Sequence, residues 1–180
     1  VAMAAFTGRE RVLKLLVEVG EFCSGYQDWL LRNLKTERVE ADEIWAFVGA
    51  KRRRALRDGD GDIWTYTAID ADSKLMISWL VGARTTENAT EFMHDLRSRI
   101  SGRIQLTTGG HPMYFSAVRS AFGYEGVDWG TIVKHYGTDP EKKEAHRYSL
   151  PACTGVTRKR ELGDPNVDLI STSYVERSNL

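Results

Sequence analysis

A chain of 180 residues with 42% hydrophobic and 28% charged content has the apolar material for one main domain plus a small appendage, which excludes a disordered or fibrous chain. Lysine plus arginine number 25 and aspartate plus glutamate 25, so the net charge is zero and any affinity for nucleic acid must come from local basic patches. No apolar run approaches the roughly 18 residues that span a bilayer, so no membrane partner is expected. Cys23 and Cys153 stand apart with no CxxC, which suggests a reduced cytoplasmic setting.

Residues 1–38 read as helical. A break at Thr7-Gly8 is followed by Val12, Leu15, Leu16 and Val19 at helical spacing. Helix, glycine-containing turn, helix is the pattern of the second half of a helix-turn-helix, in which Arg9 and Arg11 would face a DNA groove; any antiparallel helix pair reads the same way. A further helix is expected over residues 21–35, with Tyr26, Trp29 and Leu30 as its buried side.

The stretch ADEIWAFVG, residues 41–49, has the β-branched and aromatic bulk of a strand, with Asp42 and Glu43 at its entry. A carboxylate beside such a run either stays in solvent or needs a partner, hydrogen bonds or a metal ion. Lys51, Arg52, Arg53, Arg54 and Arg57 follow as the densest positive cluster, and Asp58-Gly59 and Asp60-Gly61 mark the tip of a hairpin. Such a tip serves as an edge-protecting charge run or as a finger on DNA phosphates. Asp58, Asp60 and Asp62 imitate the start of an EF-hand loop, but Ile63 and Ile69 stand where the loop needs Gly and Glu.

Residues 62–70 and 75–81 give a second and a third strand of an antiparallel meander, joined by the turn Asp70-Ala71-Asp72-Ser73. Thr85 or Thr86 caps a helix to about Ile100 with Phe92, Met93, Leu96 and Ile100 on its apolar side. A fourth strand, residues 104–108, runs into Gly109-Gly110-His111, a strand-to-helix turn in which glycine would supply a positive φ. Pro112 opens a helix ending near Gly123, and residues 127–133 form a fifth strand. From 134 to 168 the chain reads as a polar, irregular insertion holding His135, Tyr136, His146, Arg147, Tyr148 and the trio Arg158, Lys159 and Arg160, a mixture suited to facing DNA. The last stretch, STSYVERSNL, starts a helix in which Ser173 and Glu176 have the spacing of a capping box. It stops soon after it starts, and the chain opens on Val1, which reads as a piece of a longer protein.

Three segments, ADEIWAFV, LTTGGHPMYFSAV and STSYVERSNL, in this order over nearly the whole chain, resemble the catalytic segments of the DDE transposases of small bacterial insertion sequences, most closely the insertion-sequence-one type. The resemblance implies an RNase H-like α/β fold: a mixed five-stranded sheet, three strands antiparallel and two parallel, flanked by helices. A helix-turn-helix-like DNA-binding segment over residues 1–38 would precede a catalytic domain over 39–180. It implies a magnesium- or manganese-dependent transposase with two metal ions per active site, acting on double-stranded DNA at terminal inverted repeats and target sites. It further implies a homodimer or higher assembly on DNA, in the bacterial cytoplasm at the nucleoid. Asp42 matches the first catalytic Asp and Glu176 the catalytic Glu, both as metal ligands. Gly109 stands where the family has its second Asp, which implies impaired activity with the fold retained. His111, which follows that position in the family, and Arg177, inside the third segment, join the basic residues expected on DNA.

Overall fold

The structure is a computed structural model that describes residues 8–137 and 152–179. Three parallel strands set the architecture: β1 (Arg38–Val48), β4 (Ile104–Gly109) and β5 (Val127–Gly137). β2 (Gly61–Asp70) and β3 (Met76–Gly82) extend the sheet from β1 as an antiparallel meander, and β6 (Ala152–Leu162) pairs antiparallel with β5 at the other edge. The order is β3-β2-β1-β4-β5-β6. This is the mixed α/β class expected, compatible with an RNase H-like fold, with six strands instead of five.

Strand alternation decides what each face carries. On β1, Val39 and Ala41 point into the core, while Glu40 and Asp42 point to the opposite face. The core lies under α2 (Thr86–Arg99) and α3 (Met113–Phe122). Thr85 caps α2, its hydroxyl oxygen accepting from the Asn88 amide at 3.3 Å. Phe92, Met93 and Leu96 are fully buried, each contributing on the order of 1.5–3 kcal/mol. Trp129 of β5 is buried against Phe115 of α3, and its indole N–H donates to Thr108 Oγ1 at 3.0 Å. The short α4 (Ser173–Ser178) packs on β1 and β2.

The strands end unevenly, and this shapes the functional edge. β4 stops pairing at Ala41↔Thr108 on one side and Gly109↔Ile132 on the other. β1 and β5 run on past it, each held only by its antiparallel neighbour, as far as Val48↔Gly61 and Gly137↔Ala152. Two antiparallel strand pairs, β1–β2 and β5–β6, therefore flank a notch at the C-terminal end of β4.

Several expectations need correction. The segment read as irregular, 134–168, carries the end of β5 and all of β6; its residues 138–151, including His146, Arg147 and Tyr148, lie outside those described. The described part of the N-terminal region is one continuous helix, α1 (Gly8–Leu30), so the helix expected from Arg9 and the further helix expected from residue 21 are a single element; the helix expected before the Thr7-Gly8 break lies outside the described residues. Gly20 and Gly25 lie within α1, where each costs only about 1 kcal/mol relative to Ala. The helix ends at Leu30, short of residue 35, and Asn33 follows with a left-handed φ of 54°. Tyr26, Trp29 and Leu30, expected to be buried, are exposed, because only the end of α1 is fastened to the sheet. Gln27 bonds to the Met76 carbonyl and the Trp79 indole, and Asp28 pairs with Arg99. Among the described residues, no helix is long and apolar enough to cross a membrane.

Candidate active-site pocket

The notch at the end of β4 opens into a pocket of about 480 Å³ whose lining includes Asp42, Gly109, His111, Lys134 and Glu176. Four elements deliver them. Asp42 comes from β1 one residue past Ala41↔Thr108, which sets it beside Gly109 on the neighbouring strand. Lys134 comes from β5, two residues beyond the partner of Gly109 and so on the same face as Ile132. Glu176 comes from α4, and His111 from the turn before α3. The two acids singled out in the sequence, 134 positions apart, thus share one pocket with Gly109.

Long-range hydrogen bonds put α4 there. Glu40, two residues before Asp42 on the same face of β1, is 3% exposed. One of its oxygens, Oε2, accepts from the backbone N–H groups of Tyr174 at 2.7 Å and Val175 at 3.1 Å. A strand carboxylate therefore caps the helix that bears Glu176. The capping box expected from Ser173 and Glu176 does not form: the cap residue is Thr172, and the Ser173 N–H donates to Ser171 Oγ. Burial raises the Glu40 carboxyl above its usual range, opposed by those two backbone donors.

Burial also pushes the Asp42 carboxyl up, to about 6. The Glu43 backbone N–H opposes the rise, the charges of Glu43 and Glu176 add to it, and Lys134 pulls it down. Both oxygens of Glu176 are occupied by protein donors: Oε1 accepts from the Thr172 hydroxyl at 2.6 Å, and Oε2 from the Lys134 ammonium.

The two glycines differ. A Cβ built on Gly110 would stand 2.5 Å from Val133 Cγ2, so Gly110 is needed for space. A Cβ on Gly109 meets nothing within 4 Å. Neither residue has the positive φ expected of this turn. Neither backbone conformation nor contact at the Cβ position requires glycine at 109.

The donors present do not fit a two-ion metal centre. Among the described residues, no three His, Cys, Asp or Glu side chains converge as metal ligands. Asp42 and Glu176 are two carboxylates, one already engaged, with a lysine against it. Glu43 does not supply a third, since it points to the other face of β1. There its side chain is 5% exposed and pairs with Arg84 at 3.3 Å, leaving Oε1 buried without a hydrogen bond. The Tyr114 hydroxyl is likewise buried beside it, and burial first, then the charge of Glu43, raises its pKa.

The basic residues fall into separate groups. Lys51, Arg52, Arg53 and Arg54 are exposed at the tip of the β1–β2 finger, where Lys51 lies 5.0 Å from the Trp45 ring and 5.9 Å from Phe47. His111 lines the pocket; its ring Nδ1 accepts from the Met113 N–H at the start of α3, and burial, with Arg84 nearby, lowers its pKa. The trio on β6 is already partnered: Arg158 to the Ile170 carbonyl, Lys159 to Glu161 and Arg160 to Asp164. Arg177 lies away from the pocket, beside Tyr174 and Lys74. Arg9 and Arg11 are exposed in the first turn of α1.

Sequence reasoning missed Glu40, Lys134 and Arg84; Thr172 was among the three candidate caps of the last helix, with Ser171 and Ser173. Glu40 was within reach: extending the first strand to Arg38 puts it at i, i+2 with Asp42 on one face. Lys134 fell one residue beyond the expected end of the fifth strand. Compared with known proteins, the chain matches no family model and no curated protein.

Proposed function

We propose that this chain is a DDE-type transposase of a bacterial insertion sequence, which binds element ends and whose metal-dependent DNA cleavage and strand transfer are impaired. The observation that carries this reading is the convergence of Asp42, Gly109 and Glu176 in one pocket at the end of β4. They are the three positions that the resembling motifs single out. An aspartate at 109 would complete the carboxylate set that a pair of divalent ions needs, with the ions activating the attacking oxygen and stabilising the leaving one. Replacing a group that merely supports a metal ligand costs roughly 10–100-fold in affinity or activity, and losing a ligand costs at least that.

Gly109 and the engaged Glu176 favour a second reading, in which the chain is a transposase-derived DNA-binding or assembly protein with no chemistry of its own. Both readings expect two or more copies working together on DNA at the nucleoid. The apolar stripe exposed along α1 supports such pairing.

A nicking assay on supercoiled plasmid with Mg²⁺ or Mn²⁺ separates the two. The transposase reading expects near-background cleavage by the natural chain and a gain of at least roughly tenfold for Gly109→Asp. DNA binding with no gain in cleavage rejects position 109 as the lost acid and leaves the binding protein.

A further inference from the structure

Lys134 has no place in the motifs that identify the pocket, yet it lines it and pairs with Glu176. It projects from β5 on the same face as Ile132, the residue paired with Gly109. Its ammonium contacts Glu176 Oε2, while Thr172 takes Oε1. The Lys134 side chain is 24% exposed and that of Glu176 38%, so solvent screens the pair in part. Two carboxylates sharing a pocket repel each other, and a cation between them relieves that cost.

We propose that Lys134 is a built-in counter-ion that takes the cation's role between Asp42 and Glu176 and so keeps divalent metal out of this pocket. This inference rests on the reading of Asp42 and Glu176 as the retained acids of a metal centre. Lysine suits this role because its flexible four-carbon stem carries a compact point charge across one strand spacing. It supplies one positive charge where a divalent ion would supply two, and it offers no coordination sites to substrate. The pocket is thereby stable without metal, and restoring a carboxylate at 109 adds a second partner for the lysine as well as a ligand for the ion.

The test is a calorimetric Mn²⁺ titration, without DNA, of the natural chain, Lys134→Met, Gly109→Asp and the double variant. The natural chain is expected to show no binding at millimolar Mn²⁺. Lys134→Met should raise Mn²⁺ affinity roughly tenfold or more in both backgrounds. Unchanged affinity on removing the lysine, in both backgrounds, overturns the proposal. If Lys134→Met does not fold, Lys134→Gln keeps a donor for Glu176 without the charge and is held to the same outcome. Lys134→Arg should leave metal excluded; Mn²⁺ binding by that variant also overturns the proposal. If removing the lysine raises affinity but Gly109→Asp does not, the assignment of Gly109 fails and the counter-ion stands; the reverse pattern sinks the counter-ion alone.

Discussion

Asp42 carries a measurable pH signature. Burial holds its proton in the folded state up to about pH 6, whereas the unfolded chain releases it near pH 4. Between those values the folded state binds more protons, so the contribution of Asp42 to stability falls as pH rises and levels off above about 6. Asp42→Asn removes that falling limb. Chemical denaturation should find the variant equal to the natural chain at pH 4 and more stable by on the order of 2 kcal/mol at pH 7. Equal stability at both values would mean the carboxylate is solvated. Asp42 was legible through the resemblance that its segment shares with the far end of the chain; beside Ile44, Trp45 and Phe47 alone it reads as a strand end in solvent. The sequence could not reveal the steric freedom of Gly109: the Gly109-Gly110 pair looks like one turn in the sequence, and only the position of Val133 separates a glycine needed for space from one that is not.

Each element was legible in proportion to its share of the core. α2, α3 and β1 to β5 announced themselves because burial imposes a period on their apolar residues. β6 was missed: it is an edge strand exposed over most of its length, so its sequence, CTGVTRKREL within the strand, answers to pairing with β5 and not to burial. The anchoring of α4 was equally hidden, since the partners Glu40 and Tyr174 are 134 positions apart. That anchor predicts an asymmetry between two substitutions. Glu40→Ala orphans two backbone N–H groups and should cost about 1–3 kcal/mol in urea denaturation. Glu40→Gln should cost much less, because both N–H groups converge on one oxygen, which an amide carbonyl can replace while removing a buried charge. Amide exchange at Tyr174 and Val175 reports the same difference locally: fast in the alanine variant, slow in the glutamine one. Similar losses for both variants would show that the charge, not the acceptor, holds α4.

At the scale of the whole molecule, a chain with no net charge carries its densest run of cations, Lys51 to Arg54, at the tip of one finger. If that finger lies along DNA, Arg52→Ala, Arg53→Ala and Arg54→Ala together should flatten the plot of log affinity against log salt by about 0.9 for each side chain that touches a phosphate. An unchanged slope would make the cluster an edge guard. At the other end of the molecule, α1 offers a different surface. Val12, Leu15 and Leu16, then Val19, Phe22 and Cys23, then Tyr26, Trp29 and Leu30 repeat every seven residues along one stripe. This is the a, d, e pattern of a helix that packs on another helix, and none of it is buried. Phe22 and Trp29 are 72% and 73% exposed. With the aliphatic residues the stripe offers on the order of 800 Å² of apolar surface, the size of one side of a standard interface. A second copy of α1 is the occupant that fits the proposed pairing on DNA, because an identical stripe is self-complementary about a two-fold axis. Sedimentation equilibrium should therefore find a dimer. Leu16→Asp with Phe22→Asp should give a monomer with unchanged sheet stability, since α1 is held by Gln27 to β3 and by Asp28 to Arg99 of α2 and not through this stripe. A natural chain that stays monomeric at all concentrations would leave α1 to another partner.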